Sequence, residues 1–255
     1  MRPVALTIAG SDPSGGAGLQ ADLAVFAVFG VHGTSVATAL TVQDTRAVRA
    51  VAPVAADVVR AQLDAVLGDF DVRAAKTGML HRAEVVTAVA ERLSVAALVV
   101  DPVAAASDGT ALLDEDGIDA VRRLLVPLAT VITPNLREAE LLVERPVRDP
   151  EEMRAAARAL VELGARAALV KGGHLAGDAV DVFYDGHEFR ELTAPRTSGG
   201  AVHGTGCALS AAIAAQLAAG RDLPDAIAEA KRFVTRAIAG AMAIGGGARL
   251  LDLRR

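Results

Sequence analysis

One cysteine, one tyrosine, six phenylalanines and no tryptophan occur in 255 residues. A lone cysteine excludes an internal disulfide, and His32, His81, His174, His187 and His203 have no paired spacing that suggests a zinc site. So few aromatic rings make a poor base-stacking platform, and a net charge of −5 argues against a nucleic-acid surface. Long hydrophobic runs are missing too: the longest apolar stretch, Ala237 to Ala248, is interrupted by four glycines, so no membrane span is expected. The chain opens with a single Arg2 and an apolar run before Ser11 and Asp12 that is too short for a signal peptide, which points to a cytoplasmic protein. Lysine is scarce: only Lys76, Lys171 and Lys231 stand among the 26 basic side chains, which marks all three for inspection.

Hydrophobic residues make up 52% of the chain, so the core must be built from Ala, Val, Leu and Ile, as buried parallel strands under helices require. The length suits one domain. Strand-like runs alternate with helical ones: Val4 to Ala9 then Leu19 to Phe29, Ser35 to Val42 then Ala55 to Leu67, and Ala74 to Thr77 then Ala83 to Leu93. Ala97 to Val100 precedes helix Asp116 to Leu125, Thr130 to Ile132 precedes Arg137 to Val143, and helix Glu151 to Leu163 leads into strand Ala167 to Val170. This rhythm predicts an α/β fold with a mostly parallel central sheet covered by helices on both faces, and ligands at the carboxyl ends of its strands. Val180 to Tyr184 and Glu188 to Leu192, joined at Asp185 and Gly186, read as a late β-hairpin at a sheet edge. From Thr205 onward the chain reads as helical, with a boundary at Gly220 to Pro224 and Gly245 to Gly247 before a short tail.

Three glycine loops carry chemistry. GSDPSGGAG, Gly10 to Gly18, follows a strand but lacks the lysine of a phosphate loop, because Gly16 stands there. GAGLQA, from Gly16, resembles a dinucleotide turn but has no acid about 20 residues on to hold a ribose. What remains is a polar loop closing on a small ligand, with Asp12 and Asp22 as available acceptors, or a plain tight turn. KGGH, Lys171 to His174, puts a cation after a buried strand. HGTGCALSAAIAA, His203 to Ala215, places Gly204, Thr205, Gly206 and Cys207 at a helix start, where free N–H groups and the helix dipole favour an anion. The same field lowers a thiol below about 8.5, so Cys207 is expected to be partly ionised at neutral pH and able to accept a proton; filling space as a small hydrophobe is the other use of such a residue. The last two loops suggest phosphoryl transfer with charge neutralised at separate points.

Asp101 ends a buried strand in VVDPV, and Asn135 and Glu138 stand one turn apart at a helix start in TPNLREAELL, where a carboxylate and an amide can position water on Mg²⁺. Stabilising the helix dipole is the other reading of Glu138. Gln43, in TALTVQDT, can donate and accept together and so read an amino group beside a ring nitrogen. Met79, in KTGML, offers a soft wall for a heteroaromatic ring or fills a core gap.

Taken in order across residues 5 to 215, AGSDPSGGAGLQADL, TALTVQDT, KTGML, VVDPV, TPNLREAELL, VKGGH and HGTGCALSAAIAA resemble the hydroxymethylpyrimidine and hydroxymethylpyrimidine phosphate kinases of thiamine biosynthesis, ribokinase-like proteins related to vitamin B6 kinases. The resemblance implies a ribokinase-like kinase using ATP and Mg²⁺ on 4-amino-5-hydroxymethyl-2-methylpyrimidine and its monophosphate. It places Gly10, Asp22, Gln43 and Met79 around the pyrimidine and Cys207 as base. Lys171, Gly204, Thr205 and Gly206 are placed on ATP phosphates, and Asn135 and Glu138 near Mg²⁺; Asn135 is thereby a candidate for cofactor binding, and Asp101 joins Glu138 as a candidate for the metal. Homodimers are common in the family, although the sequence carries no interface signature. Asp44 stands where the family usually has Asn, Ala104 where Met is common, and Ala201 and Val202 where Asn-Thr precedes HGTGC. These departures bear on ring packing and the final loop, not on the chemistry. A B6 kinase is the alternative, and a catalytically silent ligand-binding protein of the same fold a more distant one.

Overall fold

The computed structural model describes residues 2–106, 109–173, 175, 179–196 and 200–254. Side-chain alternation along its strands divides the core in two. On β1 (Val4–Ser11), Leu6 and Ile8 join the apolar cluster on one face of the sheet, whereas Ala5 joins the cluster on the other. The same switch recurs between Ala75 and Ala74 on β4 (Val72–Thr77), between Val100 and Val99 on β5 (Ala97–Val100), and between Ile132 and Val131 on β6 (Val131–Ile132). Both faces are buried, as the near-continuous hydrophobic strands require.

The main sheet has nine strands. β2 (His32–Gln43), β1, β4, β5, β6 and β7 (Ala168–Lys171) run parallel, in that spatial order. At one edge lies the antiparallel β3 (Val48–Pro53); at the other lie β8 (Ala179–Tyr184) and β9 (Phe189–Ala194), the expected hairpin. One face is covered by α2 (Ala56–Asp69), α3 (Ala83–Arg92), α4 (Glu115–Ala120), α5 (Leu136–Val143) and α6 (Pro150–Glu162). The opposite face carries α1 (Gly18–Val28), α7 (Thr205–Ala218) and α8 (Leu223–Ala239). From Ala208 onward α7 is almost entirely buried, and its alanines let it lie against β1, β4, β5, α1 and α8 together. No helix among the described residues is long and apolar enough to cross a membrane.

Three expectations need correction. β3 was not foreseen: its residues are mostly exposed, so no alternation marks them, and Pro53 is tolerated because the strand is an edge. Helix Asp116 to Leu125 begins at Glu115, continues from Val121 to Leu125 as π turns, and tightens to 3₁₀ geometry at Val126–Leu128, where Pro127 withholds a backbone donor. Helical structure ends at Ala239 instead of running to the C-terminus. Beyond Gly240 the chain turns back, and β11 (Arg249–Leu250) pairs in parallel with β10 (Val202–His203).

Candidate active site

The candidate residues stand where the parallel strands end. Gly10 and Ser11 close β1, Gln43 closes β2, Thr77 closes β4 with Gly78 and Met79 just beyond it, Asp101 follows β5, and Lys171 closes β7. The first turn of α7 is only half-buried, unlike the rest of the helix, and its N-cap Gly204 offers no side chain to the free amides. Gly204 is held at φ 80°, and a Cβ there would lie 1.8 Å from the Gly16 carbonyl oxygen, so only glycine lets the final loop close on the opening one. The amides that follow have no side-chain cap.

At the ends of β5 and β7, Lys171 Nζ donates to Asp101 Oδ1 at 2.9 Å, and Ser210 Oγ donates to Asp101 Oδ2 at 3.1 Å. A Cβ on Gly206 would come within 3.1 Å of Lys171 Nζ, so the ammonium lies directly beneath the first turn of α7. Burial works against both charges of this pair, yet each partner sustains the other: Asp101 stays below the ordinary carboxylate range through Lys171 and Lys76, and Lys171 rises through Asp101 and Glu138. Asn135 and Glu138 form a reciprocal capping box on α5: Asn135 Oδ1 accepts the Glu138 N–H at 3.0 Å, and Glu138 Oε2 accepts the Asn135 N–H at 2.8 Å. Burial, reinforced by Asp101, pushes the Glu138 carboxyl up to about 7, against Lys171 and the amides of Asn135 and Ala104. Only the backbone of Ala104 serves Glu138, so the loss of a methionine side chain there leaves that contact intact.

On the opposite side, Gly10 and Met79 meet: a Cβ on Gly10 would lie 3.0 Å from Met79 Sδ. Met79 packs with Ala39 and Leu112 in a small apolar cluster, and Thr38 Oγ1 fixes its carbonyl at 2.6 Å. The Gly18 N–H is directed at Cys207, and Gly18 itself lies against the Gly10 carbonyl. Cys207 thus stands between the Gly10–Met79 wall and the Lys171–Asp101 pair.

Several sequence expectations change here. Cys207 lies at the helix start as foreseen, but its thiol is raised, not lowered: burial pushes it up to about 11, Asp101 and Asp22 add to the rise, and Lys76 and the Gly18 amide oppose it. Both carboxylate oxygens of Asp12 are already engaged, and Asp22 keeps only Oδ1 unpartnered among the described residues. Asp12 Oδ1 accepts from Ser14 N at 2.9 Å, while Oδ2 accepts from Ala17 N and from His203 Nε2, each at 2.9 Å. Asp22 is wholly buried, and its Oδ2 accepts from Thr7 Oγ1 at 2.6 Å and Lys76 Nζ at 2.8 Å, which places it beneath the site instead of on its surface. Asp44, the departure next to Gln43, makes the turn into β3 by accepting from the Arg46 and Ala47 amides.

Gln43 lies at the rim, its amide 3.1 Å from His203 Nε2. The same Nε2 lies 2.9 Å from the Asp12 carboxylate and must carry a proton to donate there, so Gln43 has to present its carbonyl oxygen to His203. Its NH₂ then points away from His203. Neither His203 nor Lys76 carries a sequence motif that assigns it to the site, and His174, in the KGGH loop, lies outside the described residues. The strongest available signal was the scarcity of lysine. Each of the three lysines is paired with a buried aspartate: Lys76 with Asp22, Lys171 with Asp101, and Lys231 with Asp181.

A mostly parallel sheet with an uncapped glycine-rich helix start, a strand-end lysine and two buried acids converging at its carboxyl edge defines a ribokinase-like small-molecule kinase. Comparison with known proteins narrows the class. The chain belongs to the phosphomethylpyrimidine kinase family, whose model matches residues 12–252. It is 48% identical over 247 residues to a hydroxymethylpyrimidine/phosphomethylpyrimidine kinase of Streptomyces coelicolor, covering 96% of this chain and 92% of the relative. Among solved structures, the phosphomethylpyrimidine kinase of Clostridium difficile superposes with a TM-score of 0.83 at 37% identity, covering 93% of this chain and 100% of that one. The pyridoxal kinase of Staphylococcus aureus in complex with AMP-PCP and pyridoxal superposes with a TM-score of 0.92 at 34% identity, covering 100% and 94%.

Proposed function

We propose that this chain transfers the γ-phosphoryl group of ATP first to 4-amino-5-hydroxymethyl-2-methylpyrimidine and then to its monophosphate, as a cytoplasmic enzyme. The observation that carries the reading is the position of Cys207, between a small apolar wall suited to a methylated ring and an anion-binding end suited to phosphate. Gln43, steered by His203, offers its NH₂ to a ring nitrogen, and Met79 and Gly10 form the wall. Lys171 and the amides of Thr205, Gly206 and Cys207 hold the transferring phosphoryl group, where charge develops during transfer. Asn135 fixes the start of α5 on the nucleotide side, and Cys207 takes the hydroxymethyl proton.

The donor set fits Mg²⁺. Asp101 and Glu138 are hard oxygen ligands, and their direct positions are already filled by Lys171, Ser210, Asn135 and Ala104, which suits a cation that keeps its water shell. Bound there through water, the ion would neutralise phosphate charge.

The likeness to pyridoxal kinases favours one second reading, phosphorylation of a B6 vitamer at the same apolar wall. Gln43→Leu tests the first reading. It is expected to weaken the aminopyrimidine by about 1–3 kcal/mol, the usual cost of leaving a buried ligand group unpaired, with little change for ATP. Equilibrium binding of the pyrimidine to both proteins tests this, and an unchanged dissociation constant removes Gln43 from the pocket.

A further inference from the structure

We propose that Lys76 is the buried counter-charge of the Cys207 thiolate and that Asp22 holds it in place for that role. Both side chains are wholly inaccessible, with Nζ 2.8 Å from Asp22 Oδ2. That oxygen also takes the Thr7 hydroxyl, which leaves Asp22 Oδ1 with no partner among the described residues. The end of β4 folds over the ammonium, since a Cβ on Gly78 would lie 2.8 Å from Nζ. Helix α7 packs on β4 and β1, and the Gly18 N–H that reaches Cys207 stands one helical turn before Asp22 on α1.

The charged groups facing Cys207 come from four elements: Lys76 from β4, Asp22 from α1, Asp101 from the end of β5 and Lys171 from the end of β7, with the Gly18 amide at the start of α1. Lys171 is bound to Asp101, so its charge is largely answered there. Lys76 opposes the burial of the thiol more than any other group. Burial disfavours its ammonium, yet Asp22, Cys207 and Asp101 together raise it above the ordinary lysine value, so it remains a cation. A fully buried ion pair seldom contributes net stability, and one with an orphaned carboxylate oxygen contributes less, so a structural role explains this pair poorly. Supporting a transient negative charge next to it explains it better.

The inference rests on Cys207 acting as base, but its test does not. Cys207 is the only cysteine, so alkylation by iodoacetamide without nucleotide reads this thiol alone: the sulfur displaces iodide at a rate set by the thiolate fraction. Asp22→Asn frees Lys76 to serve Cys207 and is expected to lower the midpoint of the alkylation pH profile. Lys76→Met/Asp22→Asn removes both charges and is expected to raise it. Each shift should be about one pH unit, or about tenfold in rate at a fixed pH below the midpoint. A double variant with the wild-type midpoint, or two variants that shift in the same direction, would overturn the proposal. If thermal melts show that the double variant fails to fold, Asp22→Asn decides alone, and an unchanged or raised midpoint contradicts the role. Should Cys207→Ala keep its first phosphorylation, the base assignment fails while the alkylation profile still judges Lys76.

Discussion

Cys207→Ala is expected to lose about 10²–10⁴ in the rate of the first phosphorylation, the usual contribution of a positioned base, while keeping most of the second. The two acceptors differ in protonation. The hydroxymethyl group must shed a proton as the new bond forms, whereas a phosphate monoester, with a second pKa of about 6, is already largely dianionic at neutral pH. The thiol's position near 11 gives the base a kinetic signature as well. Below that value the thiolate fraction grows about tenfold per pH unit, so kcat/KM for the pyrimidine alcohol should climb from neutral toward alkaline pH in the wild type. The climb should be absent in Cys207→Ala and for the monophosphate. Single-turnover rates of both substrates at saturating ATP measure this. Equal losses on both would reassign Cys207 to shaping the first turn of α7.

Lys171→Ala is expected to lower kcat by about 10²–10³ with little change in pyrimidine affinity, because its charge meets the phosphoryl group chiefly in the transition state. Removing the ammonium also leaves Asp101 buried without its cation, which costs about 3–5 kcal/mol of stability. The two effects are separable. Thermal melts read the loss of the pair, and turnover measured well below the transition reads the loss of catalysis. Lys171→Arg should recover most of the stability while recovering less of the rate, since a planar fork cannot occupy the place of a compact ammonium beneath Gly206. A Lys171→Ala protein with full turnover at saturating ATP would remove the residue from the phosphate site.

What the sequence discloses here is governed by range along the chain. The parallel strands are legible because hydrophobic runs and helix starts are local, and the strand ends follow from them, which is why Gly10, Gln43, Met79, Asp101 and Lys171 are found on one edge. The Asn135–Glu138 box is also local, three residues apart, and its dual nature, cap and carboxylate, is visible in TPNLREAELL. Pairings across the fold are not legible. Lys76 and Asp22 lie 54 residues apart and His203 and Asp12 lie 191 apart, with no periodicity linking either pair. The two-residue strands β10 and β11 are too short to alternate, and their pairing follows from the glycine turn that folds the C-terminal tail onto Thr45. The sign of the shift at Cys207 is a second feature that range along the chain conceals. The helix terminus that favours a thiolate is visible in the sequence; the burial that outweighs it is not.

Phosphorus NMR of a single reaction containing ATP, Mg²⁺, the hydroxymethylpyrimidine and an equal amount of pyridoxal decides whether one site phosphorylates the pyrimidine twice. The expected result is a pyrimidine monophosphate signal that rises first and then gives way to the diphosphate, with ADP formed in step and pyridoxal phosphate in the minority. Pyridoxal phosphate as the main product, or a pyrimidine left unphosphorylated, would contradict it.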